Sequence, residues 1–178
     1  AIVLPGTPGS GKSTLCAAMA HRGWRLLSDE FGLAPHGSAS LVPVPRPIAL
    51  KNESIDVFKA FAPEAVLGPR IPKTRKGTVA HVRPPANSIQ RQSENAPARW
   101  VIFPRWEAGA ALNWTPLRKP QSFMALASNA FNYELLGEAG FSTVRAIVDA
   151  SDAYSLVYSE MSEAIAWIES LAEIAAND

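Results

Sequence analysis

The chain has 178 residues, 47% of them hydrophobic and 19% charged, which suits one domain with a substantial core and is too apolar for extended disorder. No apolar run approaches the roughly 20 residues of a membrane span and no signal pattern opens the chain, so a cytoplasmic protein is expected; the lone Cys16 excludes an internal disulfide and a cysteine-built zinc site. The net charge of +1 hides a division, with 16 Lys/Arg against 7 Asp/Glu in residues 1–119 and 1 against 9 in residues 120–178.

The chain opens without methionine on an apolar stretch, and residues 1–178 read as one domain excised from a longer protein. Ala1 to Leu4 predicts a short buried strand, Gly6 to Gly11 a loop, and Lys12 to about His21 a helix ended by Gly23, whose small residues Ala17, Ala18 and Ala20 permit close packing. Trp24 to Ser28 predicts a second strand delivering Asp29 and Glu30 at its end. A strand, a loop-helix crossover and another strand form a βαβ unit, which favours a parallel sheet.

Ala34 to Pro47 is rich in Pro, Gly and Ser and predicts an extended loop, followed by a strand edge entering a helical turn over Ile48 to Asp56. Residues 63–98 combine prolines with the basic cluster Arg70, Lys73, Arg75 and Lys76 and predict an irregular or lid-like segment. Trp100 to Phe103 predicts a buried strand. Ser122 is the expected cap of a helix running to Gly137, and Ser142 of another. Tyr154, Leu156 and Tyr158 alternate as in a late strand, and Glu160 to Ala176 predicts an amphipathic helix with Met161, Ile165, Ile168 and Ala172 inward. There is no internal repeat.

Gly6-Thr7-Pro8-Gly9-Ser10-Gly11-Lys12-Ser13 matches G-x-x-x-x-G-K-[ST] in full, after a predicted strand and at the start of a predicted helix, which is the context that motif requires. Glycines let the backbone fold its N–H groups around phosphate oxygens, and the helix N-terminus, up to Thr14, adds partial positive charge. Lys12 is placed to reach the β- and γ-phosphates of ATP and the Ser13 hydroxyl to ligate Mg²⁺. Asp29 and Glu30 then either hold the metal and take a hydroxyl proton or form a solvated turn.

GTPGSGKSTL followed by GWRLLSDEFGL resembles the catalytic domain of HPr kinase/phosphorylase, in which the phosphate loop is followed by a helix, a G-x-R-L strand and an acidic pair. The likeness is closer to the HPr kinase-related proteins encoded with exopolysaccharide or peptide-modification systems, where PRPIALKNESID also looks like a family segment. The resemblance implies a P-loop kinase fold, an α/β domain with a mostly parallel central sheet flanked by helices. It implies Asp29 as the main metal ligand, Glu30 as the base facing the acceptor hydroxyl, Lys51 and Glu53 lining the site, and a homo-oligomer. The bifunctional enzymes carry two aspartates where this chain has Asp29-Glu30, and a glycine-rich segment where it has Lys51-Asn52-Glu53-Ser54.

On their own pattern, Lys51 and Glu53 either bring a cation to phosphate and a carboxylate to metal or form the first exposed turn of a helix. His21, His36 and His81 are scattered without ligand spacing, and Cys16 on its Ala-rich helix reads as a small core residue. Tyr154 and Trp167 read as packing anchors. Residues 69–99 hold Arg70, Lys73, Arg75, Lys76, Arg83, Arg91 and Arg99 against Glu94 alone, either a solvated loop or a docking surface for an acidic acceptor or nucleotide phosphates. Nucleic acid is disfavoured because no aromatic residue is interleaved before Trp100.

The expected function is therefore an ATP- and magnesium-dependent kinase that phosphorylates a hydroxyl, foremost serine, in a protein, peptide or small molecule. Lys12, Asp29 and Glu30 are the expected catalytic residues, Gly6 to Thr14 the nucleotide site, and Ser13, Asp29 and Glu53 the metal ligands. The rival of another class is a nucleotide-dependent switch or assembly ATPase that acts through a partner and releases phosphate only to water.

Overall fold

The computed structural model describes residues 1–177. In chain order the elements are β1 (Ile2–Val3), α1 (Lys12–His21), β2 (Ser40–Leu41), β3 (Ile48–Lys51), α2 (Glu53–Phe61), β4 (Ile71–Thr74), β5 (Gly77–Val82), α3 (Ala86–Gln90), β6 (Ala96–Pro97), β7 (Trp100–Trp106), β8 (Asn113–Leu117), α4 (Lys119–Asn129), α5 (Tyr133–Leu136), α6 (Glu138–Ala150), β9 (Asp152–Tyr158) and α7 (Met161–Asn177). The result is an α/β fold, and no helix among the described residues is long and apolar enough to cross a membrane.

The main sheet runs β1-β7-β9-β8, with β1–β7 and β7–β9 parallel and β8 antiparallel at the far edge. Alternation along the strands serves both faces. Ile102, Leu156 and Tyr158 pack with Leu15, Ala18 and Met19 of α1 and with Ala164, Ile165 and Ile168 of α7. Val101 and Ala153 pack on the opposite face with Leu126 of α4 and Val144, Ile147 and Val148 of α6. A strand covered on both faces reads as a continuous apolar run, which is why Trp100 to Phe103 was legible.

A second, three-stranded antiparallel sheet, β3-β5-β4, leans on the other flank of α1. Its core joins Ile48, Leu50, Ala80 and Val82 to Ile55 and Phe58 of α2 and Ala17 and Ala20 of α1. Burying side chains the size of Ile55 and Phe58 contributes about 1.5–3 kcal/mol each.

Several expectations are corrected. Trp24 to Ser28 forms no regular element and joins no sheet: the Leu26 N–H donates to the Ser88 hydroxyl at 2.9 Å and the Leu27 carbonyl accepts from the Val44 N–H at 2.8 Å. The parallel partner of β1 is instead β7, with Ile2 opposite Trp100. The sheet is thus parallel at β1, β7 and β9 and mixed overall.

Residues 63–98 are not irregular throughout. They contain the β4–β5 hairpin, whose turn is closed by Gly77 at φ +84° and by the Thr74 hydroxyl donating to the Gly77 carbonyl at 2.6 Å. Ser122 and Ser142 lie inside helices rather than at their starts. α4 opens after Arg118, with Pro120 in its first turn and the Gln121 side-chain Oε1 accepting from the Arg118 backbone N–H at 3.1 Å. α6 opens after Gly137, and the Ser142 hydroxyl donates back to the Ala139 carbonyl at 3.1 Å.

Candidate nucleotide site

The main-sheet strands β1, β7 and β9 end on the same side, the usual ligand edge of an open parallel sheet. β1 leaves that edge through buried Pro5 into the loop from Gly6 to Ser13. Gly9 and Gly11 take φ +90° and +86°, a backbone region costly for residues with a Cβ. At Gly6 the constraint is space: a Cβ there would lie 2.6 Å from the Ser10 hydroxyl. The first helical bond of α1 is Leu15 N–H to Gly11 carbonyl at 3.0 Å, so the N–H groups of Lys12, Ser13 and Thr14 have no partner within the helix. Those donors, with the dipole of a ten-residue helix behind them, suit an anion.

Lys12 curls over its own loop, its ammonium donating to the Thr7 carbonyl at 3.3 Å. Burial pushes its pKa down, opposed by the Asp29 carboxylate and reinforced by the Lys51 ammonium. Burial pushes the Asp29 carboxyl up; the facing Ser13 hydroxyl and the Lys12 and Lys51 charges pull it back, while Glu30 adds to the rise. Lys12, Ser13, Glu30 and Lys51 therefore all bear on Asp29, although three separate stretches of chain deliver them. Two of the three buried side-chain polar atoms without a hydrogen-bond partner among the described residues are here, Asp29 Oδ1 and Ser10 Oγ. A buried carboxylate oxygen without a donor carries an unmet polar demand that a bound cation would meet.

No cluster of three or more His, Cys, Asp or Glu residues that could hold a metal forms among the described residues. A divalent cation here would rest on the Ser13 hydroxyl, the Asp29 carboxylate and phosphate oxygens. That donor set fits magnesium, which takes one or two protein ligands and completes its shell with phosphate and water. Glu30 is exposed beside Asp29. Glu53, expected as a third ligand, opens α2 with an exposed side chain and is not among the groups whose charge reaches Asp29. A cavity of about 490 Å³ runs from Lys12, Asp29 and Glu30 past the free edge of β1 toward Phe31 and Tyr133.

Lys51 reaches the site from the end of β3 through an unusual turn. Asn52 follows at φ +50° and ψ −129°, a conformation natural to glycine. Its N–H donates to the Thr78 carbonyl at 2.8 Å and its side-chain carbonyl accepts from the Thr78 N–H at 3.0 Å.

Two residues that hold the loop by hydrogen bonds were not legible as site residues in the sequence. The Tyr158 hydroxyl donates to the Gly11 carbonyl at 3.3 Å, and the Trp106 N–H donates to the Ser10 carbonyl at 3.0 Å. Both come from strands remote in sequence, so no local spacing could have linked them to the loop. Cys16 packs against the core beside α2, and burial pushes its thiol up, as a core role requires. Tyr154 and Trp167 meet edge to face at 5.4 Å, and Trp167 stacks on Trp114 at 5.6 Å, consistent with packing.

The basic segment divides. Arg70 pairs with Asp56, and Arg91 pairs with Glu94 at 2.7 Å, which leaves Lys73, Arg75 and Lys76 exposed on the β4–β5 hairpin. No protein-family model, curated protein or solved structure matches this chain.

Proposed function

We propose that this chain is a P-loop phosphotransferase domain that uses Mg-ATP to phosphorylate a hydroxyl, foremost a serine hydroxyl, of an acceptor. The observation that carries the reading is the meeting of Ser13, Asp29 and Lys12 around the glycine-rich loop, with Asp29 Oδ1 buried and unpartnered. Backbone N–H groups of the loop and the Lys12 ammonium hold the phosphates, and Lys51 adds a second cation from β3. Magnesium, held by Ser13 and Asp29, neutralises phosphate charge when bound. Glu30, exposed beside the metal ligand, accepts the acceptor's proton.

The test is calorimetry of Mg-ATP binding combined with transfer of labelled γ-phosphate. Lys12→Ala should abolish transfer and weaken Mg-ATP binding by at least tenfold with the fold intact; unchanged affinity overturns the site. Glu30→Gln should bind Mg-ATP as the parent does and lose transfer, because the amide keeps the shape and cannot take the proton. Label released only to water by the parent would instead favour the switch reading.

A further inference from the structure

We propose that the indole of Trp106 is the stacking platform for the base of a purine nucleotide. This rests on the phosphate-loop reading above and adds to it the part of the ligand that the loop does not touch. Trp106 closes β7, the strand beside β1, at the sheet edge from which the phosphate loop emerges. Its backbone N–H donates to the Ser10 carbonyl at 3.0 Å, and a Cβ placed on Gly11 would lie 2.9 Å from the Trp106 Cβ. The residue is thus in direct contact with the loop.

The indole is also fixed without being covered. Its Nε1–H donates to the Ser159 carbonyl at 3.0 Å, yet the residue is 48% exposed. The loop that follows is tied to the end of β9: the Glu107 N–H donates to the Tyr158 carbonyl at 2.9 Å and the Gly109 N–H to the Ser159 hydroxyl at 3.1 Å. An aromatic ring pinned at its polar edge and half exposed is pre-ordered for stacking, so binding costs it little rotamer freedom.

Position selects the ligand. Asp29 and Glu30 border the cavity along β1, whose lining contains no residue of β7. Phosphoryl transfer therefore occupies the cavity side of the loop, and Trp106 stands outside it, where the nucleoside end of a triphosphate can extend. A planar base meets an indole face there, and a purine offers the larger ring area.

The experiment compares Mg-ATP with magnesium tripolyphosphate, which carries the phosphates and no base, by calorimetry on the parent, Trp106→Ala and Trp106→Phe. Trp106→Ala should weaken Mg-ATP binding by roughly tenfold or more and leave tripolyphosphate binding within twofold, and Trp106→Phe should keep most of the ATP affinity. Equal ATP affinity in Trp106→Ala and the parent overturns the proposal. So does an equal loss for both ligands, which would make the indole a prop for the loop. Should Trp106→Ala fail to fold, Trp106→Leu gives the same comparison with apolar bulk retained. Failure of the parent to bind tripolyphosphate overturns the phosphate-loop reading itself, whereas normal tripolyphosphate binding with no effect of Trp106 on ATP overturns the base platform alone.

Discussion

The Tyr158 hydroxyl, at the end of the last strand, donates to the carbonyl of Gly11 in the phosphate loop at 3.3 Å, and a Cβ on Gly11 would lie 2.6 Å from that same oxygen. The end of β9 is therefore the floor on which the loop rests. Burial raises the Tyr158 phenol well above its ordinary pKa, so it stays a neutral donor at any physiological pH.

That contact separates two substitutions. Tyr158→Phe removes one hydrogen bond and should cost about 0.5–1.5 kcal/mol in chemical denaturation, with Mg-ATP affinity reduced a few-fold. Gly11→Ala must override both the overlap and φ +86°, so it should cost several kcal/mol and abolish nucleotide binding. The double variant should recover little, because the clash with the Trp106 Cβ and the backbone strain persist. Recovery of ATP binding in the double variant would show that the loop is set by the tyrosine contact alone.

Asp29 ties function to a cost in stability. Its carboxyl is raised by burial, so the folded state holds its proton more tightly than the unfolded chain does. The sign follows: stability is greatest below the unfolded carboxylate pKa and declines as pH climbs through the raised folded value. Asp29→Asn removes the buried charge and keeps the shape. It should raise the Tm of the nucleotide-free protein at pH 7 by roughly 2–4 °C for each kcal/mol gained, and flatten the pH dependence above the ordinary carboxylate pKa. Magnesium with ATP should stabilise the parent and not this variant. A lower Tm for Asp29→Asn at pH 7, measured by calorimetry without nucleotide, contradicts this account.

Asn52 tests whether a side chain substitutes for glycine. Asn52→Gly relieves φ +50° and loses the bond to the Thr78 N–H at 3.0 Å, two effects of similar size and opposite sign. Its stability should lie within about 1 kcal/mol of the parent. Asn52→Ala loses the bond and keeps the strain, so urea denaturation should find it less stable by about 1–3 kcal/mol. Equal stability of the Ala and Gly variants would mean that the backbone there is unstrained.

The cationic hairpin gives a charge prediction. Replacing Lys73, Arg75 and Lys76 by Gln should raise the KM of an acidic acceptor and flatten its dependence on salt, because exposed charges steer a partner only within the ~10 Å screening length at 0.1 M. Arg70→Gln should change neither by more than a small factor, since Arg70 already faces Asp56 at the surface. A uniform effect of all four cations would return the whole segment to undifferentiated long-range attraction.

Local chemistry made much of the site readable in advance. The phosphate loop, the helix that starts at Lys12 and ends at His21, the strand-to-helix passage around Lys51 and the late strand through Tyr158 each depend on neighbours a few residues apart. Glycine conformations and the periodicity of side chains fix such features, and those are written in sequence order. Trp24 to Ser28 shows the limit. An apolar run reads the same whether its backbone pairs with β1 or with Ser88 and Val44, and only the packed fold decided between them. The hairpin from Ile71 to Val82 was hidden because Pro72 and the charged run from Lys73 to Lys76 leave its first strand without apolar alternation, and its second strand is fixed by the edge of β3, with Ile48 opposite Val82 and Leu50 opposite Ala80. Trp106 and Tyr158 meet the loop because parallel strands end at one edge of a sheet. Strand order is a long-range property, set by which faces the helices cover, and no local pattern encodes it.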